Sequence, residues 1–179
     1  MGSQASKHVN WCLKKAEKEI DELKKQKKKI RHRGLLKIEP NRKIALRHLE
    51  KAKHNLEVFK LLRKNNSSDW SITVGFYTLY HCFLAIAVKH GYESRNQTCT
   101  IALIESLQEK GKISITKGII DFMKYTEEEK NREGSLIELR ENYTYGVDLE
   151  VKDEEQLDKI EKLCVEFIDV VKNIVYGEG

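Results

Sequence analysis

Between Trp70 and His90 the chain carries apolar residues on nearly every helical face: Phe76, Tyr77, Leu79, Tyr80, Phe83, Leu84, Ile86 and Val88. A helix that is hydrophobic all round has no side to give to water and lies at the centre of a fold. It therefore demands neighbours, and the flanking sequence supplies them. Val9, Leu13, Ala16, Ile20, Leu23 and Ile30 recur at spacings of three, four and seven, which predicts an amphipathic helix over about residues 5 to 31, with Gly34 as its stop. Ala45, Leu49, Ala52, Leu56, Phe59 and Leu62 draw the stripe of a second helix, opened by Pro40 and Asn41 and ending near Lys64. A shorter helix over about residues 98 to 110 stops at Gly111, and residues 115 to 145 read as helical with a break around 131 to 135. Asp153 and Gln156 match a capping box, and the stripe from Leu157 to Val175 behind it is the clearest in the chain.

One proline and ten glycines in 179 residues leave few turns for a β fold. Charged residues make up 34 % of the chain, against about a quarter in ordinary domains, which suits long helices with wide solvated faces. The predicted fold class is all-α: an antiparallel bundle of five or six helices, with no βαβ pattern and no internal repeat. Residues 1–34 read as a basic N-terminal helix that extends the bundle, and 35–179 as the bundle itself. No apolar run approaches the ~18 residues of a membrane span and no signal-peptide core is present, so no membrane partner is expected. Cys12, Cys82, Cys99 and Cys164 show no CxxC spacing and fall on or beside apolar stripes, which predicts four reduced thiols in a cytoplasmic protein.

Charge is unevenly spread. Residues 1 to 64 hold 20 Lys and Arg against 7 Asp and Glu, a net +13, whereas residues 65 to 179 carry −8. The densest stretch, Lys24, Lys25, Lys27, Lys28, Lys29, Arg31 and Arg33, with His32 among them, makes a local field that attracts phosphate backbones. It contains no aromatic residue, so nonspecific contact with RNA or with an acidic protein is what it can support. The bland alternative is a solvated helix face.

Two further stretches carry the chemistry. "GFYTLYHCFLAIAVKHG" (75 to 91) contains Phe76, Tyr77, Tyr80 and His81, and "LRENYTYG" (139 to 146) contains Arg140, Tyr143, Tyr145 and Gly146. In this order and separation they resemble the HEPN domain, in the archaeal and bacterial branch with an R-x4-Y-G segment in place of R-x4-6-H. The resemblance covers about residues 41 to 175. It implies a homodimeric helical bundle, often encoded beside a separate minimal nucleotidyltransferase in a toxin-antitoxin-like system. Many HEPN proteins also cut RNA without metal at paired R-x4-6-H motifs. Arg140 can hold a phosphate bidentately. Tyr145, however, stands where the proton-transfer histidine belongs, and a phenol of pKa roughly 10 stays protonated at neutral pH.

The expected function is therefore a noncatalytic binding module, subunit of such a two-component system, contacting RNA or nucleotide through Arg140, Tyr143, Tyr145, Tyr77 and His81. The alternatives are a ribonuclease with a rearranged site at Arg140, Tyr145 and His81, and a plain scaffold. In the scaffold reading the +13 segment pairs intramolecularly with the remainder. Literal R-x(5-6)-H matches at Arg42 to His48 and Arg47 to His54 read as chance pairs on a solvated face. No His, Cys or carboxylate set has convincing metal-site spacing and no glycine-rich phosphate loop occurs, so neither metal nor cofactor is indicated.

Overall fold

The computed structural model describes residues 2–124 and 135–177. Among them the protein is an all-α bundle with one small ribbon. Its elements are α1 (Gln4–Lys25), β1 (Leu35–Lys37), α2 (Arg42–Lys64), α3 (Ser68–Lys89), β2 (Tyr92–Ser94), α4 (Gln97–Glu109), α5 (Lys117–Phe122), α6 (Leu136–Tyr145) and α7 (Glu154–Tyr176). The expected five or six helices become seven, because the 115 to 145 stretch contributes α5 and α6 separately. The break foreseen around 131 to 135 lies, but for Ser135, outside the described residues. Ser135 caps α6 through a reciprocal box with Glu138.

α3 is the central element, packed by α2, α4, α6 and α7. Its all-round apolar character is spent on these contacts: Phe83 meets Phe167 of α7 edge-on at 5.6 Å. At Gly75 the neighbours come so close that an added Cβ would lie 2.8 Å from Ile160 and 3.2 Å from the Phe59 ring. α3 is also, among the described residues, the one helix long and apolar enough to cross a membrane, which corrects the expectation that no run reaches that length. In the bundle 72 % of that apolar window is buried, as a core helix requires.

Asn41 caps α2 through its side chain, accepting from the Ile44 N–H at 3.0 Å, and Asp153 does the same for α7 with Gln156. Arg63, near the end of α2, ties these two helices together by donating to Glu154, Asp158 and Glu161 of α7 at 2.8 to 2.9 Å.

Three further features depart from what the sequence suggests. The first helix ends at Lys25 and not near residue 31. Lys27 adopts a left-handed φ of 52°, the Lys28 N–H reaches back to Leu23 O and the Lys27 N–H to Lys24 O, a Schellman stop made without glycine. The reason is tertiary. The chain must double back so that Gly34 can lie against α1, where a Cβ would meet the Cys12 carbonyl at 2.5 Å. Second, the connection after Gly34 is a strand. β1 pairs antiparallel with β2, Leu36 opposite Glu93, which satisfies backbone groups of two loops at once. Third, two of the four cysteines are not free thiols. Cys12 of α1 and Cys99 of α4 form a disulfide with Cα atoms 5.9 Å apart, since α1 lies directly on α4. Cys82 and Cys164 are free and buried, as expected. Burial raises both thiols, Cys164 to about 12, so they are inert.

Candidate functional site

α6 lies along α3, and Thr144 bonds Thr73 at 2.9 Å to fix their register. This places Arg140 over the aromatic face of α3. Its guanidinium stacks 4.5 Å above the Phe76 ring, donates to Gln97 Oε1 of α4 and to Glu141 Oε1, both at 3.2 Å, and is only 13 % exposed. An arginine held on three sides in this way braces α6 against α3 and α4. A phosphate at this position would compete with Gln97 and Glu141.

Beside it, Tyr77 packs edge-on to Phe76 and Tyr80, and Tyr80 bonds Thr100 through its hydroxyl at 3.2 Å. Burial pushes the Tyr80 phenol above its ordinary value. Tyr143 is half-buried against the core, and burial, then Asp148 and Asp153, raise its phenol too. Tyr145 is different. It ends α6 at 82 % exposure, ahead of a Gly146 whose N–H closes on Asn142 O.

His81 turns toward α2, where its Nδ1 lies 3.1 Å from Nδ1 of His48. Burial, then the neighbouring His48 and Lys51, push His81 down to about 4, and burial lowers His48 as well. Both rings are neutral at pH 7. A Nδ1 to Nδ1 bond then requires opposite tautomers, one ring donating and the other accepting. His48 is therefore not part of a solvated face as expected, whereas His54 is exposed. Among the described residues no hydrogen bond or ring contact joins His81 to Arg140 or Tyr145. The sequence motif thus separates into an arginine engaged with α4 and a histidine engaged with α2.

The basic stretch has the opposite character. Lys24, Lys25, Lys27, Lys28, Lys29, Arg31 and Arg33 are all exposed, and none forms an ion pair with another described residue. The last turn of α1 and the loop behind it, which carry them, are nevertheless braced. The Schellman stop holds the start of the loop. Its end is held by the Arg33 N–H on Glu19 at 2.6 Å, by buried His32 on Glu93 at 3.3 Å, and by the packing of Gly34 on α1. Seven cations are thus presented outward on a fixed frame.

In comparison with known proteins, the chain matches no family model and no curated protein shows significant similarity to it.

Proposed function

We propose that the protein is a noncatalytic helical module that binds RNA through the basic loop between α1 and β1. The observation that carries this reading is the exposed set from Lys24 to Arg33, unpaired among the described residues on a braced loop. Such cations neutralise phosphates and release counterions. The scaffold alternative asks them to pair with the acidic part of the chain, but among the described residues the ion pairs that join the two parts are made by Arg63, and the one contact from within the stretch, His32 on Glu93, uses none of the seven Lys and Arg side chains. The ribonuclease alternative asks Arg140 to meet a free phosphate and His81 or Tyr145 to move a proton. Arg140 is occupied by Gln97, Glu141 and Phe76, and His81 by His48. The HEPN resemblance supplies the setting, a subunit working with a separate nucleotidyltransferase.

The test is the salt dependence of binding to a labelled single-stranded RNA, read by fluorescence anisotropy. Each phosphate contact contributes about −0.7 to the slope of log K against log salt on a single strand. Replacing Lys27, Lys28, Lys29, Arg31 and Arg33 with glutamine flattens the slope by several such increments, while Arg140→Ala leaves it within one. RNA incubated with the protein in EDTA stays intact. Unchanged binding by the glutamine variant would overturn the reading, and cleavage abolished by Arg140→Ala would restore the nuclease.

A further inference from the structure

His8 and Cys12 stand four residues apart on α1, and therefore on one face of it. Cys99, in the first turn of α4, meets that face. The His8 ring nitrogen and the two Sγ atoms all lie within 4.8 Å of one another. Both cysteines are fully buried, and His8 sits half-buried at the rim, packed edge-on against Trp11 at 5.7 Å. His8 also lines a cleft of about 470 Å³ between α1 and α4, whose other walls include Ala5, Ile101, Glu105 and Lys124. An imidazole on the wall of a cleft and two buried sulfurs within reach of it are one ligand short of a tetrahedral site.

From this geometry we infer that, once the Cys12–Cys99 bond is reduced, His8, Cys12 and Cys99 bind a zinc ion whose fourth position opens into the cleft. The chemistry balances in two steps. A dithiol reductant breaks the S–S bond, delivering two electrons and two protons to give two thiols while itself closing to a cyclic disulfide. Zinc then displaces both thiol protons to solvent.

Thiolates on one zinc sit about 3.8 Å apart for Zn–S bonds of ~2.3 Å, farther than in a disulfide, so the two cysteine side chains must open by rotation. With the three ligand atoms within 4.8 Å of one another, and about 3.5 Å between nitrogen and sulfur around a zinc with a Zn–N bond of ~2.0 Å, His8 has at most about 1.3 Å to close. Electrostatics favour the same ion. Two thiolates and a neutral imidazole cancel a divalent charge, so the complex adds no net charge to a site whose sulfurs are wholly buried. The first turn of α4 also places the positive end of a helix dipole beside the Cys99 sulfur. Soft sulfur ligands select zinc over magnesium or calcium.

The experiment uses the full chain, reduced with dithiothreitol, desalted without oxygen and titrated with cobalt(II) as the spectroscopic stand-in. The expected result is a thiolate-to-cobalt charge-transfer absorption that saturates at about one metal per chain and is displaced by zinc. The oxidised protein shows none, Cys12→Ser and Cys99→Ser abolish it, and a Cys82→Ser control retains it. Because the serine variants can fail to fold, His8→Ala at the rim is the second arm. It keeps the helical circular-dichroism spectrum and weakens cobalt at least about tenfold. Absence of the absorption in reduced wild type would overturn the inference, as would its persistence in both serine variants or unaltered affinity in His8→Ala.

Discussion

His81 titrates differently in the folded and unfolded chain, and this has a direction that can be measured. Unfolded, it takes up a proton near pH 6.5; folded, it does so only near pH 4, because burial, His48 and Lys51 all oppose the charge. Between these values the unfolded chain binds more protons, so stability falls as the pH falls through that window and is unaffected above it. His81 is partly solvated, which discounts the effect to on the order of 1 kcal/mol. Urea unfolding at pH 7 and pH 4.5 should show this extra loss in the wild type and not in His81→Gln. Equal losses in both would mean that the His81 ring is not held neutral by burial as described.

At the scale of elements, the α2, α3 and α7 junction depends on an absent side chain. Gly75→Ala forces a methyl group to 2.8 Å from Ile160 and 3.2 Å from Phe59, and since both belong to well-packed helices the expected cost is about 1–3 kcal/mol. That outweighs the roughly 0.5–1 kcal/mol alanine gains over glycine in a helix interior. A lowered urea midpoint with an unchanged m-value checks it. Lys27→Gly runs the other way: relieving the left-handed φ of 52° should raise the midpoint, the stability gain being about 0.5–1 kcal/mol after the entropy cost of glycine. The contrast shows what sequence can carry. The stripes of α2 and α7 and the all-round apolar run of α3 are legible because helical periodicity and hydrophobicity are local signals, and so are the Asn41 and Asp153 caps. The end of α1 was not, because the stop at Lys27 serves the packing of Gly34 on Cys12, a contact between residues whose pairing no local pattern announces. The ribbon of β1 and β2 escaped for the same reason. Arg140, His81 and the tyrosines could be picked out by motif, but whether they share a site depends on which neighbouring helix each one faces. His48 was missed because its partner, His81, lies far along the chain.

For the molecule as a whole, the most exposed apolar segment runs from the end of α6 into the loop behind it. Tyr145, Val147 and Leu149 are 82 %, 93 % and 76 % exposed within five residues, a concentration of apolar surface that a partner copy can cover. We propose the homodimer that the HEPN resemblance implies, with this segment at its interface. Sedimentation at micromolar concentration should give twice the 20.9 kDa chain mass, and Val147→Asp with Leu149→Asp should return it to monomer. A monomeric wild type would remove the dimer.

The burial of α3 also has a consequence for how the protein is made. Emerging from the ribosome, α3 has the length and apolarity of a membrane-spanning segment, and only α2, its antecedent hairpin partner, is already there to shield it. The face that receives Ile160 and Phe167 stays open until α7 has been synthesised. The α3 face that packs on α7 therefore closes only once Glu154–Tyr176 has been made, and a nascent chain stalled before Glu154 leaves that apolar face without its cover.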